Sequence, residues 1–216
     1  MPVKTWDEFL QDDSLFDNAI RLRYFIWTIN RRFKPGSNVL EVGCGSGTTS
    51  VMLADQGYNV TAVDVNKSLI DRIQERYRGG LSGSLNVMHH DMFALPWESL
   101  SFDLTIHQGV LEHFDDQSIV RALQEQGRVS RWIIFDVPNQ RKQTKPFGDE
   151  RFLSFPHWQS LIHQAGLTID AYYGRDFSRW TYIMPHGLFT RFGLERLSSF
   201  GRAFGQSYVF VCKSGE

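Results

Sequence analysis

Short apolar runs alternate with longer amphipathic stretches along most of the chain. Val39-Leu40-Glu41-Val42 reads as a strand, introduced by the turn signal Pro35-Gly36-Ser37-Asn38. Thr48 to Gln56 then reads as a helix closed by Gly57. A second strand, Val60 to Val63, is followed by a helix from Ser68 to Tyr77 with apolar Leu69, Ile70 and Ile73 on one face. After a glycine- and serine-rich loop (Gly79 to Ser84), strands are expected at Leu85 to Met88 and Phe102 to Ile106. A helix at Ser118 to Gln126 and a strand at Trp132 to Val137 complete the run. Strand and helix taking turns, with strands apolar almost throughout, predict a parallel sheet covered on both faces. Ligands of such sheets bind beyond the carboxyl ends of the strands, so functional residues are sought just after each strand.

Flanking segments extend this core. Leu15 to Arg32 has apolar positions recurring at helical spacing, among them Phe16, Ala19, Ile20, Ile26 and Trp27. Its basic residues Arg21, Arg23, Arg31 and Arg32, with Lys34, read as a solvated face balanced by Asp12, Asp13 and Asp17. A polar connection, Asn139 to Glu150, carries Arg141, Lys142 and Lys145. Ser154-Phe155-Pro156 then reads as a cap and helix start, with Gly166 as the stop. Leu167 to Tyr172 and Ser207 to Val211 are strand candidates, and a long aromatic stretch, 174–205, lies between them. The chain is therefore read as one domain over 1–216, with an N-terminal helical cap (1–35), a core (36–139) and a C-terminal part (140–216).

Composition narrows the function classes. The chain has 216 residues, 42% hydrophobic and 22% charged, which excludes wholesale disorder. No apolar run approaches the ~18 residues a membrane helix needs, and acids stand where a signal peptide would be apolar, so a cytoplasmic location is expected. With 23 basic and 24 acidic residues the net charge is −1, which gives no electrostatic reason to expect nucleic acid. Two cysteines, Cys44 and Cys212, are too few for a disulfide framework or a zinc cluster, and no metal is expected. Aromatics reach 14%, with 17 Phe, 6 Trp and 7 Tyr, which asks what so many rings line. A large aromatic core is the plain reading.

The most specific signal is Val42-Gly43-Cys44-Gly45-Ser46-Gly47-Thr48, a strand running through alternating glycines into a helix. Such glycines permit a tight turn and close approach of a ligand, and the following helix start offers N–H groups to an anion. A dinucleotide fingerprint would need glycine at position 48, where Thr48 stands. A P-loop would need a lysine, and none occurs between Lys34 and Lys67. What remains is G-x-G-x-G preceded by an acid, Glu41.

That pattern resembles motif I of the class I S-adenosylmethionine-dependent methyltransferases. Asp64, at the end of the second strand and followed by Val65, fits the acid that takes both ribose hydroxyls. Asp91 fits the acid that accepts from the adenine amino group, with Met92 packed near the base. Ala94-Leu95-Pro96-Trp97 and Ser101-Phe102-Asp103-Leu104 resemble the family's segments leading into the fourth strand, in which Asp103 is structural. The resemblance covers about residues 36–139. It implies a Rossmann-like α/β three-layer sandwich with a mostly parallel seven-stranded sheet and helices on both faces. It also implies S-adenosylmethionine as cofactor and S-adenosylhomocysteine as product, held by Glu41, Gly43, Cys44, Gly45, Gly47, Asp64, Val65, Asp91, Met92 and His107.

Methyl transfer from a sulfonium needs no protonated leaving group, and a base is required only when the acceptor must lose a proton. The segment Val110-Leu111-Glu112-His113-Phe114 resembles the hallmark of small-molecule methyltransferases, including those of quinone biosynthesis. In that quinone group an acid three residues before the glutamate helps to hold a metal; here the position is Gly109. His113 is the first candidate for base, because histidine titrates near neutral pH, and a histidine that merely orients the loop is the competing reading. His186 is the second candidate. No Asn/Asp-Pro-Pro-Tyr/Phe or Pro-Cys signature of nucleobase methyltransferases is present, so a small-molecule acceptor of a methyl on O or N leads. The alternatives are a protein or RNA acceptor, or a member that binds the cofactor without methylating. A monomer or homodimer is expected. Trp158, Tyr172, Tyr173, Phe177, Trp180, Tyr182, Phe189 and Phe192 occupy the part that in this family shapes the acceptor pocket.

Overall fold

The computed structural model of the protein describes residues 15–77, 80–142, 148–177 and 205–215. Helix α1 (Leu15–Arg32) leads into strand β1 (Asn38–Val42), α2 (Thr48–Asp55), β2 (Asn59–Asp64), α3 (Lys67–Arg76), β3 (Ser84–His89) and β4 (Phe102–Gln108). A single 3-10 turn at Leu111–His113 precedes α4 (Asp116–Val129) and β5 (Ser130–Pro138). Helix α5 (Phe155–Gln164), β6 (Leu167–Phe177) and β7 (Gly205–Ser214) complete the described elements. The sheet order is β3-β2-β1-β4-β5-β7-β6. β1 pairs in parallel with β2 and β4, β2 pairs in parallel with β3, and β6 and β7 are antiparallel. This is the α/β Rossmann-like architecture that the resemblance implies, and its parallel strands are those that the alternating pattern predicts. The described residues fall into two compact units, drawn from Met1–His107 with Glu125–Trp132 and from Gln108–Gln124 with Ile133–Glu216.

In the first unit, β1 and β2 bury Val39, Leu40, Val42, Val60, Ala62 and Val63, the expected outcome for strands covered on both faces. Helix α3 starts where the Asn66 side chain accepts from Ser68 N–H, and its apolar stripe of Leu69, Ile70 and Ile73 is buried. Tyr58 Oη donates to Asn30 Oδ1 and to the Phe33 carbonyl, both at 2.9 Å, which fixes the end of α1. Asp103 is structural as expected, accepting from Asn38 N–H at 2.8 Å where β1 and β4 begin. Arg128, in the last turn of α4, donates to the Trp97 and Leu95 carbonyls and to Glu125, holding the Leu-Pro-aromatic segment.

In the second unit, Ser154 caps α5, Pro156 sits in its first turn, and Gly166 at φ 76° ends it. The core here is aromatic. Phe135 lies 6.0 Å from Trp158 and 5.2 Å from Phe210, and Phe155 lies 4.6 Å from Tyr172 and 5.5 Å from both Tyr208 and Phe210. Trp158 is fully buried in this cluster, so it packs the core instead of lining a pocket. Most of the expected acceptor segment, with Trp180, Tyr182, His186, Phe189 and Phe192, lies outside the described residues, as do Lys145 and the Phe177 side chain. Among the described residues, no helix is long and apolar enough to cross a membrane.

Candidate functional site

The carboxyl ends of β1, β2 and β3 converge in the first unit. Gly43, Gly45 and Gly47 all have positive φ, at 64°, 55° and 73°, so the backbone path between β1 and α2 is one that side chains disfavour. At Gly47 space matters as well, because an added Cβ would stand 2.9 Å from Ile73 Cδ1 of α3. Cys44 turns its side chain into the core with Ala62, Ile70, Ile73 and Val87. Its N–H donates to the Val63 carbonyl and its carbonyl accepts from Gly47 N–H. The loop is thereby tied to β2 and closed on itself.

Asp64 joins the next strand end to this loop. One oxygen accepts from Gly45 N–H at 3.0 Å and the other from Asn66 N–H at 2.8 Å. The side chain is half-buried, and Val65 beside it is 68% exposed, a large apolar surface turned to solvent. Asp91, two residues past β3, is exposed and accepts from Phe93 N–H at 2.9 Å, while Met92 is buried. Glu41 is buried, and its carboxylate accepts from the Ser50 hydroxyl in a short hydrogen bond. The Ser50 N–H and the Thr49 hydroxyl also favour its charged form, yet burial wins and pushes the carboxyl up to about 7. Glu41 therefore caps the start of α2 from within, at the position where a helix start was expected to offer its N–H groups outward. His107 is fully buried at the end of β4, and burial pulls its imidazole down to about 3, so it is neutral.

The second unit carries the turn that contains His113. Gly109 has φ 65°, and its N–H donates to the Asp136 carbonyl. Glu112 is 1% exposed, with its Oε2 buried and without a hydrogen-bond partner. Burial, with smaller contributions from Asp136 and Glu150, pushes it up to about 8, so it is protonated at neutral pH. His113 Nδ1 lies 2.7 Å from Asp149 Oδ1. Glu112, His113 and Glu150 bring their polar atoms within 4.8 Å of one another. Among the described residues, the ammonium of Lys142 lies 3.1 and 3.2 Å from the two Glu150 oxygens.

The elements thus bring the glycine loop, Asp64 and Asp91 to neighbouring strand ends in one unit, and His113 to a turn in the other. The sequence places Lys142, Asp149 and Glu150 in a polar connection with Arg151 just beyond it. It marks Lys142 only as part of a basic surface that would suit a protein or RNA acceptor; Asp149, Glu150 and Arg151 carry no signal of a role. No local signal could have found them, since His113 and Asp149 stand 36 residues apart.

Residues 39–131 match the family model described as a methyltransferase domain. A ubiquinone biosynthesis O-methyltransferase of Coxiella burnetii is 34% identical over 99 residues, covering 46% of this chain and 41% of that protein. The protein of the same name from Rickettsia typhi is 31% identical over 134 residues, covering 61% and 54%. The chain thus matches about half of the length of these relatives. Among solved structures, magnesium protoporphyrin IX methyltransferase from Synechocystis PCC 6803 with bound SAH superposes with a TM-score of 0.66 at 14% identity, covering 93% of this chain and 84% of that one. At that identity the likeness concerns the fold.

Proposed function

We propose, from the premise that this chain belongs to the class I S-adenosylmethionine-dependent methyltransferases, that it moves a methyl group from that cofactor to an oxygen of a small organic acceptor. The observation that carries the cofactor reading is the hydrogen bond from Gly45 N–H to Asp64. It locks the glycine loop to a carboxylate at the neighbouring strand end. An ionised carboxylate has about four acceptor sites. Two backbone bonds at Asp64 leave capacity for two ribose hydroxyls. The strand ends present Asp64 and Asp91, which suits a cationic nucleoside and argues against a phosphorylated one.

When bound, S-adenosylmethionine supplies an electrophilic methyl on a positively charged sulfur. The chain's own residues hold and orient. Asp64 would take the ribose hydroxyls and Asp91 would accept from the adenine amino group, with exposed Val65 beside Asp64 and buried Met92 beside Asp91 available to the base. Gly43, Cys44, Gly45 and Gly47 would form the backbone path around the cofactor, Glu41 anchors that path to α2 through Ser50, and buried His107, being neutral, would add no charge to the site. His113 takes the proton from the acceptor hydroxyl, with His186 as the second candidate. The whole chain acts as one catalytic domain.

The acceptor class rests on the names of the relatives and on the Val-Leu-Glu-His segment. Its test is release of S-adenosylhomocysteine on addition of 3,4-dihydroxybenzoate, a hydroxylated aromatic probe. We expect release with the wild type and a loss of about 100-fold or more in His113→Ala. Full turnover in His113→Ala would remove the base assignment and leave the family unaffected.

A further inference from the structure

Residues 149–151 cross the turn that carries His113, and the reaction above gives them no task. Arg151 N–H donates to the Glu112 carbonyl at 2.8 Å, and its guanidinium donates to the Phe114 carbonyl at 2.6 Å and to Asp116 at 2.7 Å. The other Asp116 oxygen is 2.8 Å from His157 Nε2 of α5. Residues 112, 114 and 116 are thereby strapped to one short segment, and Asp149 of that segment meets the His113 ring. The ring is 12% exposed, while Asp149 is 76% exposed.

Chemistry fixes the direction of that bond. The hydrogen bond from His113 holds the Asp149 carboxyl below its ordinary range, so it is ionised near neutral pH and can only accept. The proton between the two groups therefore belongs to Nδ1. In a neutral imidazole that places the ring's lone pair on Nε2. The neighbouring acids offer no better base. Glu112 is protonated at neutral pH, and Glu150 is engaged by Lys142.

We propose that Asp149 is a positioning residue for His113, fixing the Nδ1–H tautomer so that Nε2 receives the acceptor's proton. This deepens the reading given above and rests on it. In the step, the acceptor O–H bond gives its proton to Nε2, and the oxygen forms the new bond to the methyl carbon. The carbon–sulfur bond breaks with its electron pair left on sulfur. The imidazolium then returns its proton to solvent.

The test uses the full chain labelled with nitrogen-15, read by long-range imidazole spectra, which need no acceptor. Wild-type His113 should carry its proton on Nδ1. Asp149→Asn should mix the tautomers and lower turnover of 3,4-dihydroxybenzoate about 100-fold, with affinity for S-adenosylmethionine within about twofold because the cofactor residues are elsewhere. Asp149→Glu should restore the Nδ1–H tautomer and part of the turnover. Asp149 is exposed, so the variants should keep the fold. A wild-type ring proton on Nε2, or an Asp149→Asn protein unchanged in both tautomer and turnover, would overturn the proposal. If the tautomer behaves as stated but His113→Ala keeps full turnover, the base assignment itself has failed, and Asp149 positions a ring that is not used.

Discussion

Glu41 is an acid kept from water, and its ionisation is set against its burial. Raising its carboxyl from 4.5 to about 7 corresponds to about 3 kcal/mol of folding free energy. The folded state holds the proton more tightly than the unfolded chain. That contribution is full below pH 4.5 and is lost as pH rises through about 7. Glu112 acts in the same sense up to about 8. Stability from urea unfolding should therefore fall between pH 5 and pH 8, and Glu41→Gln should flatten the part below pH 7. A Glu41→Gln protein with the same slope would show that Glu41 is ionised in the fold at lower pH. That residue was legible in the sequence as the acid of a glycine loop. Its setting was not, because Ser50 and Thr49 belong to a helix whose facing could not be read from spacing.

At the scale of elements, the glycine loop and the strapped turn are held by different physics. Gly47 is constrained twice, by φ 73° and by Ile73 of α3. Gly47→Ala should cost about 1–3 kcal/mol in unfolding free energy and shift the loop enough to weaken cofactor binding. Calorimetry alongside denaturation would separate the two effects, and an unperturbed variant would mean that the loop conformation tolerates a side chain. At the turn, Lys142 already supplies a cation to Glu150. Turnover should thus survive treatment with EDTA, and its abolition with recovery on adding magnesium would replace the lysine by a metal. Strand and helix order was readable up to β5, because β1, β2, β4 and β5 are largely buried and apolar; β3, with Val87 its one buried residue, carried the weakest signal. β6 and β7 run longer than expected, to Phe177 and over Gly205–Ser214, since antiparallel partners lengthen strands whose own polar ends, such as Lys213, carry no strand signal.

Across the whole molecule, the aromatic excess divides between packing and a segment outside the described residues. Phe135, Phe155, Trp158, Tyr208 and Phe210 account for a core in the second unit. Trp158→Ala should cost about 3–5 kcal/mol by urea unfolding, with cofactor affinity retained under native conditions. Composition signalled the rings but could not divide them, because a core tryptophan and a pocket tryptophan have the same sequence signature. The cofactor side was more legible, since its residues follow strands at short fixed distances.

Asp64 and the glycine loop should hold S-adenosylmethionine, and titration calorimetry of the wild type, Asp64→Ala and Asp103→Ala with that cofactor measures whether they do. Loss of two charge-assisted hydrogen bonds should weaken binding by Asp64→Ala about 100-fold, while Asp103→Ala, altered only at the start of its strands, should bind as the wild type does. Wild-type affinity in Asp64→Ala would mean that Asp64 does not hold the cofactor.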